Sequence, residues 1–218
     1  MKKYFCCFLS LVILFSFYGC GGSISKSEAE NIIKGEFPNR DKDGVPYRTI
    51  DCYVSNVSVD FIYDLVKKGN LKLTKDEKNG GGDIVRHEYG VASETDCKGV
   101  RAIVVVQGWG FPVSDSGFRD LPLIKEYFLG VQETWRDKRQ GYEGRVHATY
   151  KTKFSLTESC YALVKDTKGR LDPTQFAVKQ YTNAYRDLSL SEYISKMEIG
   201  TIKSRERTFE KDSKGNWQ

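Results

Sequence analysis

The sequence is poor in the residues that most often carry catalysis and metal binding. Its 218 residues include only 2 histidines, His87 and His147, and 2 methionines. Neither C-x-x-C nor H-x-x-x-H, spacings at which two side chains can reach one zinc ion, occurs in the chain. The glycine clusters at 80–82 and 108–110 lack the further residues with which phosphate-binding loops hold a nucleotide. The sequence therefore predicts no catalytic residue, no metal site and no cofactor.

The chain also lacks a strong excess of one charge. It carries 34 Lys and Arg against 29 Asp and Glu, a formal net charge of +5 at pH 7. Lys2 and Lys3 supply two of these positive charges, so the remainder is closer to neutral. Proteins that bind nucleic acid usually concentrate a larger basic excess on one face. No nucleic-acid partner is therefore expected.

The first twenty residues have the composition of an export signal. Lys2 and Lys3 precede an apolar run over residues 4–18. This run of about 15 residues is shorter than the roughly 20 that a helix needs to cross a bilayer. A charged start, a short apolar run and a small residue at the end are typical of secretory signals. Because the run ends at Gly19-Cys20, the segment resembles the signal of bacterial lipoproteins, in which a small residue precedes the lipid-modified cysteine.

This resemblance implies how the chain begins and where it works. Residues 1–19 are the signal peptide, and residues 20–27 are the lipidated cysteine, Cys20, with a short tether. The protein is then a bacterial lipoprotein on a periplasmic or surface face, and acyl chains on Cys20 bind the membrane. The alternatives are an ordinary signal peptide that is cleaved nearby and an uncleaved anchor.

Residues 28–218 are predicted to form one α+β globular domain. Hydrophobic residues make up 39 % of the chain and aromatic residues 13 %, enough for a packed core. The prediction comprises an N-terminal helix, a small helix–hairpin unit and a mainly antiparallel sheet with helices packed on one face. The strongest strand signal is the alternation over 146–156, which places Val146 and Ala148 in the core. His147 lies on the opposite side, where we expect solvent.

The helix–hairpin unit is predicted over residues 58–91. A helix that begins near Ser58 ends at Gly69, and strands at 71–74 and 85–91 flank a polar turn with three glycines. This order resembles a winged helix. Because Asp60 and Asp64 make its helix unsuited to a DNA backbone, the resemblance implies a scaffold and not a DNA reader.

Periodicity elsewhere gives a coarser prediction. Residues 121–133 fit either a helix or a strand, and we favour a strand over 128–136. A helix is expected over 173–185, and a capping box formed by Ser189 and Glu192 begins another. The charged segment 199–209 is predicted to be an edge strand.

Three cysteines remain after the signal, which also contains Cys6 and Cys7. An oxidising envelope favours one disulfide among the three. The pair Cys52–Cys97 is preferred because both residues have polar, turn-like neighbours. Cys160 is then a buried thiol. The alternatives are that all three stay reduced, or that Cys160 is a nucleophile with His147 as its base.

These observations favour a binding or scaffolding module without catalysis. Its partner would be another envelope protein, peptidoglycan or a small ligand. Four aromatic residues near loops could line an apolar groove: Trp109, Phe111, Phe118 and Trp135. The alternative is an envelope hydrolase whose site is not recognisable in the sequence.

The lipid anchor is testable by the substitution Cys20→Ser. Each buried methylene of an acyl chain contributes about 0.8 kcal/mol, so loss of the chains should abolish attachment. We expect the variant in the soluble fraction, or uncleaved, when cell fractions are blotted. A variant that stays membrane-bound at its mature size would contradict the anchor.

Overall fold

Strands dominate the structure, and most of them pair antiparallel. The computed structural model describes residues 23–92, 96–106, 116–142, 144–173 and 188–218. Within these residues the chain has four helices and ten strands, which confirms the α+β class with a mainly antiparallel sheet. None of the described helices is long and apolar enough to cross a bilayer.

The elements are numbered in chain order. The helices are α1 (Lys26–Gly35), α2 (Val59–Lys67), α3 (Glu158–Val164) and α4 (Leu190–Lys196). The strands are β1 (Asn39–Arg40), β2 (Pro46–Ser55), β3 (Leu71–Lys78), β4 (Ile84–Val91), β5 (Arg101–Val105), β6 (Gly117–Arg136), β7 (Val146–Leu156), β8 (Arg170–Pro173), β9 (Leu188–Ser189) and β10 (Ile202–Phe209).

The chain divides into two compact units. Unit 1 contains the described residues up to Gly35 together with Gly130–Tyr150 and Ser204–Gln218. Unit 2 contains Glu36–Leu129 and Lys151–Lys203. The single domain expected over 28–218 stays a prediction.

Unit 2 is built on a sheet with the strand order β3-β4-β5-β6-β2-β8-β9. Neighbouring strands pair antiparallel, and Ile50 on β2 lies opposite Ile124 on β6. The core of this unit is apolar, and burial of such side chains contributes about 25 cal/mol per Å². Its largest fully buried side chains include Phe118, Leu121, Leu123 and Tyr193.

Strand β6 resolves the ambiguity over residues 121–133. The predicted strand at 128–136 is confirmed, but β6 begins earlier, at Gly117. Leu121, Pro122, Leu123 and Ile124 are buried in succession, so this part of the strand is covered on both faces. A strand buried on both faces loses the period-2 alternation, which is why periodicity could not separate helix from strand here.

The helix and hairpin predicted over 58–91 are present as α2, β3 and β4. Gly69 ends the helix with a φ of 77°, and its N–H donates to the carbonyl of Val66 at 2.9 Å. The hairpin is longer than predicted, since β3 continues to Lys78. Asp76 pairs with His87 across the two strands, and the His87 ring nitrogen Nδ1 lies 2.7 Å from the carboxylate.

Several other predictions are confirmed. Strand β7 covers the predicted residues 146–156. Ser189 and Glu192 form both hydrogen bonds of a capping box at the start of α4. Strand β10 pairs with β7 alone among the described strands, as expected of a charged edge. The helix expected over 173–185 lies, apart from its first residue, outside the described residues.

The disulfide prediction is corrected by the structure. Cys97 is bonded to Cys160, and their Cα atoms are 5.3 Å apart. Cys52 is a buried thiol near the middle of β2, with its sulfur 3.9 Å from the hydroxyl of Tyr193. The polar neighbours of Cys52 suggested a turn, but β2 lies between β6 and β8 and turns this side chain into the core.

The cross-link should stabilise the protein. It joins residues 63 apart in sequence, and a loop of that length contributes about 4 kcal/mol in the chain-entropy model. Replacing Cys97 and Cys160 by alanine should lower the free energy of unfolding in denaturant by about that amount. Cys52→Ala is the control, because it leaves the cross-link intact. Alkylation of Cys97 or Cys160 in the unreduced protein would contradict this pairing.

Candidate functional site

The candidate site lies in unit 1, where three strand segments meet at a hairpin. The hairpin end, defined here as the described residues 135–142, 144 and 145, contains the last two residues of β6 and leads into β7. Strand β7 pairs with β6 on one side and with β10 on the other. Because side chains of a strand alternate, every second residue of these segments can face the same side. Trp135, His147, Glu206 and Thr208 come into contact in this way.

His147 is the centre of the contacts. Its Nε2 lies 3.2 Å from Oδ2 of Asp137, and its Nδ1 lies 2.8 Å from Oε1 of Glu206. The hydroxyl of Thr208 also lies 3.2 Å from Nδ1. The side chain is buried, with 7 % of the residue exposed. Buried polar groups require hydrogen-bond partners, and both ring nitrogens have one.

The expectation that His147 faces solvent is therefore wrong. The alternation itself is confirmed, since Val146 and Ala148 are buried on the other side of β7. The opposite side is covered at this end of the strand by Trp135 of β6 and by side chains of β10. Sequence alternation identifies the two faces of a strand but does not show which neighbouring side chains cover each face.

Trp135 lies flat against this histidine. The two ring centroids are 5.3 Å apart and the planes differ by 16°. The tryptophan is nevertheless 39 % exposed. The imidazole thus holds the indole in one orientation while part of its surface stays accessible.

A second set of contacts fixes the loop of the hairpin. Arg139 donates its backbone N–H to Oδ1 of Asp137 at 3.0 Å, and its guanidinium also donates to this carboxylate. These hydrogen bonds from Arg139, with a smaller contribution from His147, hold the pKa of Asp137 well below its usual range. The guanidinium groups of Arg139 and Arg145 lie 4.9 and 4.6 Å from the ring centre of Tyr142.

These side chains border an open cleft of about 490 Å³, the hairpin cleft, lined by residues 135–139, His147 and Glu206. Arg136 and Lys138 lie on its wall and are exposed. Within the described part of the chain, neither of these two cations forms an ion pair. The cleft therefore combines an oriented aromatic ring with two exposed positive charges.

A second open cleft lies in unit 2, with a volume of about 560 Å³. It is lined by residues 56–59, Phe61 and residues 166–168. Ser58 precedes α2 without a hydrogen bond from its side chain to the helix. Its lining also holds an aromatic ring, Phe61, which packs edge-on against Phe118 at 6.4 Å, but its charges are one acid, Asp166, and one base, Lys168.

The structure gives no support to a cysteine nucleophile. The sulfur of Cys160 is bonded to Cys97, so it cannot form the thiolate that attack requires. Within the described residues, no group of three or more His, Cys, Asp or Glu side chains could hold a metal ion. Asp137 and Glu206 contact opposite nitrogens of His147, so the three side chains do not converge on one point.

Two of the four residues considered for an aromatic groove are described by the structure. Phe118 is fully buried in unit 2, and Trp135 lines the hairpin cleft. Trp109 and Phe111 lie outside the described residues. Sequence reasoning missed the roles of Asp137 and Glu206. The sequence places Trp135, Asp137 and Arg139 at every second position, a spacing at which strand side chains can share a face. This spacing could have indicated that Asp137 belongs to the site.

Comparison with known proteins adds no assignment: no protein-family model, no curated protein and no solved structure matches this chain.

The contacts of Asp137 predict a pH-dependent contribution to stability. Because its pKa is lowered in the folded state, the carboxylate stabilises the fold above its unfolded pKa of about 4, and this contribution is lost as the pH falls below that value. Asp137→Asn should therefore lower stability at pH 6, and the difference from wild type should shrink between pH 4 and pH 2.5. Denaturant unfolding at several pH values measures this difference.

Asp64→Asn is the matched control, since this carboxylate is exposed on α2 in unit 2. A difference between Asp137→Asn and wild type that stays constant down to pH 2.5 would contradict the Asp137–Arg139 contact.

Proposed function

We propose that the chain is a lipid-anchored cell-envelope protein that serves as a non-catalytic binding or scaffolding module, with the hairpin cleft as its binding surface. The Gly19-Cys20 signal supports the location and the anchor. The finer fold prediction, with helices packed on one face of the sheet, is retained as part of this proposal.

One observation supports binding at this cleft above all others. Arg136 and Lys138 lie beside Trp135 without an ion pair among the described residues, although acidic side chains are close by. Guanidinium and ammonium groups bind carboxylates and phosphates, and an oriented aromatic ring adds contact area at low entropic cost. The cleft thus suits an anionic group on another component of the envelope. Peptidoglycan, an envelope protein and a lipid headgroup all carry such groups.

The remaining contacts support a structural role for His147. Both of its ring nitrogens are already hydrogen-bonded, and its ring supports the indole of Trp135. In this proposal His147 positions the tryptophan and does not transfer protons.

Photo-crosslinking in cells tests this surface. A photoreactive residue at Gln140, on the exposed hairpin end, should capture an envelope component. The same residue at Asn79 is the control, since Asn79 is exposed at the end of the β3–β4 hairpin in unit 2. Replacing Arg136 and Lys138 by glutamine should lower the yield at Gln140 at least fivefold, because each cation near an anionic surface contributes about 1 kcal/mol.

Lys72→Gln with Lys75→Gln is the matched double variant, since it removes the same charge from exposed positions of β3. It should leave the yield at Gln140 unchanged. Equal capture at Gln140 and Asn79, or a yield at Gln140 that does not depend on Arg136 and Lys138, would contradict the hairpin cleft as the binding surface.

A further inference from the structure

We infer that the anionic ligand of the hairpin cleft is the headgroup layer of the membrane in which the chain is anchored, so that the hairpin end forms a second membrane contact. This inference rests on the proposed function, because it requires both the lipid anchor and binding at this cleft.

The position of the anchor supports this occupant. Helix α1 begins at Lys26, only six residues after Cys20. Six residues span at most about 20 Å even when fully extended. Helix α1 and the hairpin end both belong to unit 1. The hairpin end is therefore part of the compact unit that the short tether attaches to the bilayer.

The aromatic residues of the hairpin end are of the types that are common at membrane interfaces. Trp135 and Tyr142 are among the few large hydrophobic residues that the described chain exposes, at 39 % and 41 %. Tryptophan and tyrosine are enriched where an apolar ring meets polar headgroups. Both rings are held in place, Trp135 by His147 and Tyr142 by the guanidinium groups of Arg139 and Arg145.

The charge of the hairpin end complements an anionic leaflet. The sequence over 135–145 holds four basic residues and two acidic ones. The carboxylate of Asp137 is already bound by Arg139, whereas Arg136 and Lys138 have no ion pair within the described residues. Each cation raises binding to an anionic surface about fivefold, so the two together raise it about 30-fold.

A 30-fold preference is too weak to bring an unanchored protein to a membrane, but it is sufficient here. Once the acyl chains are inserted, binding of the hairpin end is intramolecular, and a short linker gives an effective concentration in the millimolar range. The acyl chains supply the affinity, and the hairpin end sets which side of unit 1 faces the bilayer.

Quenching of tryptophan fluorescence tests this contact in the full-length lipidated protein. The protein is reconstituted into brominated phosphatidylcholine alone, or into equal parts of brominated phosphatidylcholine and brominated phosphatidylglycerol. The chain has three tryptophans, so the signal of Trp135 is the difference between wild type and Trp135→Phe. We expect this signal to be quenched at least twofold more in the anionic vesicles. The extra quenching should vanish at about 1 M salt, where the screening length is ~3 Å.

The double variant Arg136→Gln with Lys138→Gln provides a readout that does not alter the fluorophore. Both side chains are exposed, and we expect their loss to reduce quenching in anionic vesicles to the level in phosphatidylcholine. Lys72→Gln with Lys75→Gln should behave as wild type. Equal quenching of Trp135 in the two lipid mixtures, or quenching that persists in the first double variant, would overturn the inference.

Failure of this inference differs from failure of the proposed function. If Trp135 is not quenched but Gln140 captures peptidoglycan or an envelope protein in cells, the hairpin cleft binds a different occupant and the proposed function stands. If Gln140 captures nothing either, both are wrong.

Discussion

A buried imidazole needs hydrogen-bond partners, and at the hairpin end this requirement determines where the neighbouring side chains lie. Asp137 contacts one nitrogen of His147, and Glu206 and Thr208 contact the other. Loss of Asp137 would remove the contact of Nε2 in a buried place, at a cost of about 1–3 kcal/mol. The same ring supports Trp135. The side chain of His147 thus links the loop, the edge strand β10 and the exposed indole.

Unit 2 is held together differently. Its core is a large cluster of apolar side chains, to which the Cys97–Cys160 bond adds a covalent link. Glu126, the one strongly buried charge among the described residues of this unit, is bound by Arg48 at 2.7 Å. At the hairpin end of unit 1, by contrast, a buried carboxylate, Asp137, and a buried imidazole, His147, contact each other beside the exposed indole of Trp135. This difference favours unit 1 as the location of the candidate site.

The sequence predicted elements whose signals are local and missed contacts that are not. Gly69 ends α2 and Ser189 begins α4 as expected, because both signals act within a few residues. Strand β7 follows its own alternation. The burial of His147, however, depends on Trp135 and Glu206, which lie on other strands. The Cys97–Cys160 pair likewise depends on how distant segments pack. The residues next to each cysteine in the sequence do not indicate that packing.

The central claim is that the hairpin cleft is occupied when the protein is in its envelope. Oxidative footprinting of tryptophan in intact cells tests this claim most directly, with Trp217 of unit 1 as the internal reference because it is only partly exposed. Trp135 should be oxidised severalfold more slowly, relative to Trp217, in cells than in the purified protein in detergent. Equal relative oxidation of Trp135 in cells and in detergent would contradict the claim.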